Sequence, residues 1–181
     1  MNPLIPTTVP GKGMDIGIVI GVTESEFEII KMFISRLLIF ISQNFPNVQF
    51  GLIIYSDRPE LIMTLQHIEY VNVKVIIEGM SYVPGGHRTD LAMLYASRKL
   101  FCPVGCEDRP EEENVMILFT SEKTDAGSIP YSLVSPIMKV YEKALLLVKV
   151  PHKTIMKLFL SFKIQTCPFL FPVLRVHSPH Y

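Results

Sequence analysis

Asp15-Ile16-Gly17-Ile18-Val19-Ile20-Gly21-Val22-Thr23-Glu24-Ser25 (DIGIVIGVTES) decides how this chain folds. From Asp15 to Val22 it is a short, β-branched, almost unbroken apolar run. That is the pattern of a strand buried on both faces of a parallel sheet, since a half-exposed strand would alternate with polar residues. The run stops at polar residues, and Ser25 is placed to cap a following helix. In that helix Phe27, Ile30, Phe33, Ile34, Leu37, Leu38 and Ile41 recur at helical spacing while Glu26, Lys31 and Arg36 take other faces. It is apolar around much of its circumference and is expected to lie along the sheet.

Working outward, Gln49 to Tyr55 (QFGLIIY) reads as a second strand, ended by the turn-forming Ser56-Asp57-Arg58-Pro59, with Leu61 to Leu65 as a short edge strand beside it. Val71 to Met80 fits a short helix, but Val71-Asn72-Val73-Lys74-Val75 also alternates like a strand, and period does not separate the two. Pro84-Gly85-Gly86 breaks the chain. Leu91 to Phe101 is expected as a helix with Leu91, Leu94, Tyr95 and Leu100 inward, and Pro103 to Glu113 as a polar loop before a central strand, Val115 to Thr120 (VMILFT). This alternation is that of an α/β, doubly wound, mostly parallel sheet with helices on both faces. Ligands of such folds sit beyond the carboxyl ends of the strands, after Ile20, Met80 and Thr120.

The 181 residues are enough for one domain and a short extra segment. With 49% hydrophobic and 19% charged residues, and 17 basic against 17 acidic side chains, neither disorder nor attraction to polyanions is implied, and nucleic acid is not an expected partner. Cys102, Cys106 and Cys167 form no paired framework; the first two are expected as a local disulfide or as two free thiols, since no second Cys or His pair follows at zinc-site spacing. Met1 to Gly13 lacks the basic start, apolar run and cleavage site of a secretory signal. Lys157, Lys163, Pro168 and Pro172 interrupt the apolar stretch from Ile155 to Val176 short of the roughly 20 apolar residues of a membrane span, so none is expected.

The strand ends carry a specific resemblance. Asp15 to Ser25 is similar to "DIVFLLDGSGS", Gly51 to Asp57 to "GLVQYSD", Pro84 to Ala92 to "GGxTxTGxAL" and Val115 to Thr120 to "VLIVLTDG", four blocks in order that mark the von Willebrand factor A domain. The resemblance covers about three fifths of the chain, from Met14 to Thr124 or so. It implies a Rossmann-like fold that binds protein partners. In functional members an Asp-x-Ser-x-Ser loop, a Thr of the Gly-Gly loop and an Asp after the third strand block hold one divalent ion. Magnesium takes oxygens at about 2.0–2.1 Å in near-octahedral geometry, with carboxylates offsetting its charge.

In this sequence the first Asp falls on Gly21, the serines on Thr23 and Ser25, the Thr on His87 and the last Asp on Ser121. Both carboxylate positions are empty, so no metal and no cofactor is expected. Glu24, Asp90, Glu122 and Asp125 lie in or beside these loops and read more simply as solvated acids than as displaced ligands; His87 reads as a polar loop residue. Within the family the pattern is most similar to the N-terminal A domains of collagen VI α chains, whose ion sites are often incomplete; Thr120-Ser121-Glu122-Lys123-Thr124-Asp125 resembles their variant of the third loop.

The expected organisation is an N-terminal extension at 1–13, an A-like domain at 14–150 and an unmatched apolar tail at 151–181, the domain being incomplete at its C-terminus. Ile137 to Tyr141 or Leu145 to Val150 would be its penultimate strand. The implied function is a non-enzymatic extracellular-matrix module that contacts matrix proteins or sister A domains through Thr23, Ser25, His87, Arg88, Thr89 and Ser121. The extracellular matrix is the location by resemblance, although this form shows no signal peptide. The competing reading is a non-functional truncated or pseudogene product. An enzyme on the same scaffold is disfavoured, because no Gly-x-Gly-x-x-Gly turn, phosphate loop or nucleophile elbow occurs.

Overall fold

The computed structural model describes residues 13–67, 69–102, 105–120, 124–130, 133–134 and 144–149. Its elements run β1 (Met14–Gly21), α1 (Glu24–Asn44), β2 (Val48–Tyr55), β3 (Pro59–Gln66), α2 (Tyr70–Gly79), α3 (Thr89–Lys99), β4 (Glu113–Thr120) and β5 (Ala144–Lys149). The strands form one sheet in the order β3-β2-β1-β4-β5. β1 is parallel to β2 and β4, and β4 to β5, while β3 returns antiparallel along β2. The middle strand is therefore β1, and β4, expected at the centre, lies beside it. Of the two penultimate-strand alternatives, Leu145 to Lys149 lies in β5 (Ala144–Lys149), while all of 137–141 lies outside the described residues, as do 1–12 and the tail.

Period 2 sorts the buried strand residues into two cores. Ile16, Ile18 and Ile20, Phe50, Leu52 and Ile54, and Val115, Ile117 and Phe119 face α1, which contributes Phe27, Ile30, Ile34, Leu38 and Ile41. The intervening residues Val19, Ile53, Tyr55, Met116 and Leu118 face α3. Each fully buried Ile, Leu or Phe stabilises the fold by about 1.5–3 kcal/mol relative to exposure, so both faces need a helix to cover them. This is why β1, β2 and β4 lack polar alternation.

Two helix expectations change. α1 is entered through Thr23, with Ser25 inside its first turn; the Glu26 carboxylate turns back to accept from the Thr23 N–H at 3.2 Å and from its hydroxyl at 2.5 Å. A residue three positions ahead of a Glu can form this reciprocal contact; the Glu at that spacing from Ser25 is Glu28, which is exposed and pairs with Lys31 at 3.2 Å. α3 buries Ala92, Met93 and Ala96, followed by Leu100 and Phe101, while Leu91, Leu94 and Tyr95 are only half-buried. Small residues on the inner face let α3 approach closely, and the sheet meets it with glycine: a Cβ on Gly17 would lie 2.6 Å from the Phe101 ring, and one on Gly51 2.6 Å from Leu100. The 71–80 ambiguity resolves as helix. Asn72, Val75 and Glu78 are exposed every third residue, and Ile77 and Met80 pack against α1.

At the amino ends of the strands Arg109 clasps the fully buried Asp15, donating its backbone N–H at 2.9 Å and its Nε at 2.8 Å, and it also reaches Asn47 Oδ1 at 2.6 Å. The loop carrying Arg109 is further closed by a Cys102–Cys106 disulfide, one of the two states expected for that pair. Among the described residues no helix is long and apolar enough to cross a membrane.

Candidate functional site

The carboxyl ends of β1, β2 and β4 converge with the loop entering α3, and parallel register dictates which side chains meet there. Ile20 lies opposite Ile54, and Gly21 opposite Thr120, so Tyr55, Gly21 and Thr120 form one row across three adjacent strands on the α3 face. Strands stand roughly 4.8 Å apart, and Gly21 in the middle contributes no side chain. The Tyr55 ring fills that gap: a Cβ on Gly21 would lie 2.0 Å from its Cζ. Its hydroxyl is 2.9 Å from Thr89 Oγ1 and is hydrogen-bonded to Thr120 as well. Burial pushes the phenol above its ordinary pKa, outweighing the opposing effects of the two threonines, so it remains protonated across the physiological range.

Around this row the Gly-rich loop is fixed by carboxylates. Asp57 Oδ1 accepts from Gly86 N at 2.8 Å, and Asp125 Oδ2 from His87 N at 2.8 Å, while Asp125 N donates back to His87 O at 3.2 Å. Both carboxylates crowd Gly86, where a Cβ would lie 2.2 Å from Asp125 Oδ2 and 2.8 Å from Asp57 Oδ1. Arg88 N donates to Ser56 O at 3.0 Å. The Arg88 guanidinium grips Asp90 in a fork, Nε and a terminal nitrogen each 2.9 Å from a carboxylate oxygen, and Ile129 N adds a bond of 3.0 Å. The Arg88 hydrogen bonds hold the Asp90 carboxyl at about 2, down from 3.8, against the opposing effect of burial. Asp90 and Asp125, read from sequence as solvated acids, are thus structural acceptors; Glu24 is exposed, and Glu122 lies outside the described residues.

Of the six residues assigned to a contact face, Ser25 is exposed and Thr23, His87 and Arg88 are half-buried along the same end of the sheet. Thr89, expected on that face, is 1% exposed, because it opens α3 with its hydroxyl turned inward onto Tyr55. Ser121 lies outside the described residues. Sequence reasoning missed Tyr55, Asp57 and Asp125 as organisers of the site. The conjunction of Gly21 with an aromatic residue ending β2 was the available signal, and it needs the parallel register to be read.

Among the described residues, the oxygens present do not fit the divalent ion of the resemblance. Gly21 offers none and its side-chain space is taken by Tyr55; the Thr23 hydroxyl is committed to Glu26, and those of Thr89 and Thr120 to the phenol. Asp57, Asp90 and Asp125 are each engaged with backbone N–H groups. Among the described residues no group of three or more His, Cys, Asp or Glu is disposed to hold a metal. Ser121 is a serine and brings no carboxylate.

Comparison with known structures agrees with this architecture. Proximal thread matrix protein 1 from the mussel byssus superposes with a TM-score of 0.64 at 17% identity, over 81% of this chain and 41% of its own. One form of that mussel protein carries zinc in its MIDAS motif. The conserved hypothetical protein BatB from Bacteroides thetaiotaomicron gives a TM-score of 0.56 at 18% identity, over 77% of this chain and 66% of its own. An aerotolerance-related membrane protein from Bacteroides fragilis gives 0.57 at 17%, over 77% and 68%. At these identities the likeness is one of fold, and the chain spans about two fifths of the length of the mussel protein. No curated protein matches the sequence at a significant level. The von Willebrand factor type A domain matches residues 18–151, well over half of the sequence, and the chain belongs to that family.

Proposed function

We propose that the chain is a non-enzymatic protein-interaction module of the extracellular matrix, of the collagen VI A-domain type, that contacts matrix proteins or sister A domains through the carboxyl-end face of its sheet without a bound ion. Members of this family are generally protein-interaction modules. The observation that carries the ion-free reading is the filling of the ion's first ligand position by the Tyr55 ring. Ser25 and the half-buried Thr23, His87 and Arg88 give the face hydroxyl, imidazole and guanidinium groups for hydrogen bonding with a polar partner surface. The Cys102–Cys106 disulfide supports an oxidising compartment, and the fold neighbour in the mussel byssus is itself a matrix protein.

The test is binding of the chain to immobilised collagen VI and to isolated A domains by biolayer interferometry, with and without EDTA, beside the variants Ser25→Glu and His87→Glu. The expected result is EDTA-insensitive binding weakened about tenfold or more by each charge introduced at the face. Binding abolished by EDTA would refute the ion-free reading, and binding untouched by either variant would move the interface elsewhere.

A further inference from the structure

We propose that Tyr55 replaces the ion as the cross-link of this face, and that Gly21 is the residue that admits it. An ion in this fold ties three loops together. Here one phenol does so, joining the end of β2 to Thr120 at the end of β4 and to Thr89 at the start of α3, across the gap left at the end of β1. A backbone bond lies one residue after Tyr55 and one before Thr89, Arg88 N to Ser56 O at 3.0 Å, so the side-chain and main-chain links form a two-point staple between the β2 end and the α3 loop. The same loop is held next along by Asp57 at Gly86 and by Asp125 at His87.

The ring is buried and its two hydroxyl partners are protein groups, so the cross-link is permanent and answers to no cation concentration. The loss of a carboxylate at position 21 is then a requirement of the new arrangement, because any side chain there meets the ring. This inference goes beyond the interaction reading and does not depend on it: it concerns the chain alone, and a failure to bind matrix proteins would leave it standing.

Amide hydrogen exchange of the wild-type chain, of Tyr55→Phe and of Gly21→Ala tests it, each with magnesium, with manganese and with EDTA. Tyr55→Phe removes only the hydroxyl, and Gly21→Ala dislodges the ring from the opposite side. Both are expected to raise exchange at Gly86, His87 and Arg88 roughly tenfold while sparing the α1-side strand amides, the change corresponding to the loss of about one net hydrogen bond. The wild-type pattern is expected to be the same under all three ionic conditions. Protection of these amides by either cation in the wild type would overturn the proposal, as would a Tyr55→Phe pattern indistinguishable from wild type. If Gly21→Ala fails to fold, the isosteric Tyr55→Phe variant decides the matter by itself.

Discussion

Replacing Asp90 by Asn removes a charge while keeping the shape of the side chain, and its effect on stability should depend on pH in a way that can be calculated. The Arg88 fork holds the Asp90 carboxyl at about 2 against an ordinary value of 3.8. A group whose pKa is depressed by folding contributes stability that is fully present above its unfolded value and is lost as pH falls through the folded one. A difference of about 1.8 units at 1.36 kcal/mol each gives about 2.4 kcal/mol as an upper figure. Arg88 is 30% exposed, so water screens part of the attraction; the expected contribution is about 1.5–2 kcal/mol. Urea denaturation of wild type and Asp90→Asn, followed by circular dichroism from pH 7 to pH 2, measures it. At pH 7 the variant should be the less stable by that amount. The gap should hold down to about pH 4 and largely close by about pH 2. A gap that stays constant over the whole range would show that the loss comes from altered hydrogen bonding to Arg88 and Ile129 and not from the charge, refuting the reasoning.

Arg109→Met should be more damaging, by about 3 kcal/mol or more, because it leaves the fully buried Asp15 carboxylate without its guanidinium; thermal denaturation reads this directly. Asp108 behaves in the opposite sense to Asp90: burial pushes its carboxyl up, so its charged form opposes folding as pH rises through the folded value, and Asp108→Asn should raise the urea midpoint at pH 7 but not at pH 3. Gly17→Ala places a Cβ 2.6 Å from the Phe101 ring and should cost about 1–3 kcal/mol by overpacking, relieved in part by Phe101→Leu in the same chain.

How much of this was legible in the sequence follows from the range of each interaction. β1, β2 and β4 could be read because burial on both faces writes itself locally as a run of Ile, Leu, Val and Phe. The inner side of α3 was read only in part, with Leu100 fully buried as expected and Leu94 and Tyr95 at the edge of the core, because Leu and Tyr outrank Ala on any apolar scale, whereas the close approach at Gly17 and Gly51 requires Ala92 and Ala96 to face the sheet. Whether residues 71–80 form helix or strand was undecided until α1 supplied the surface that Ile77 and Met80 cover. The Asp15–Arg109 clasp joins residues 94 positions apart, and no spacing rule reaches that far.

The ion site shows the limit most sharply. Read along the chain, Gly21 is a deletion: an oxygen the family would use has gone. Read across the sheet, the same residue sits between Tyr55 and Thr120 in one row of side chains, and its lack of a Cβ is the space through which a buried phenol joins two strands and a helix. A loop that loses its ion loses a cross-link as well as a ligand, and the convergent loop ends of a doubly wound sheet must be tied by something else. Asp57 and Asp125 meet part of that need by holding Gly86 and His87, which explains why acids persist beside a site whose own carboxylates are missing. Among the described residues the face is thus tied by hydrogen bonds made within the protein, and on the proposed reading a partner binding there would meet the same Gly-rich loop at any cation concentration.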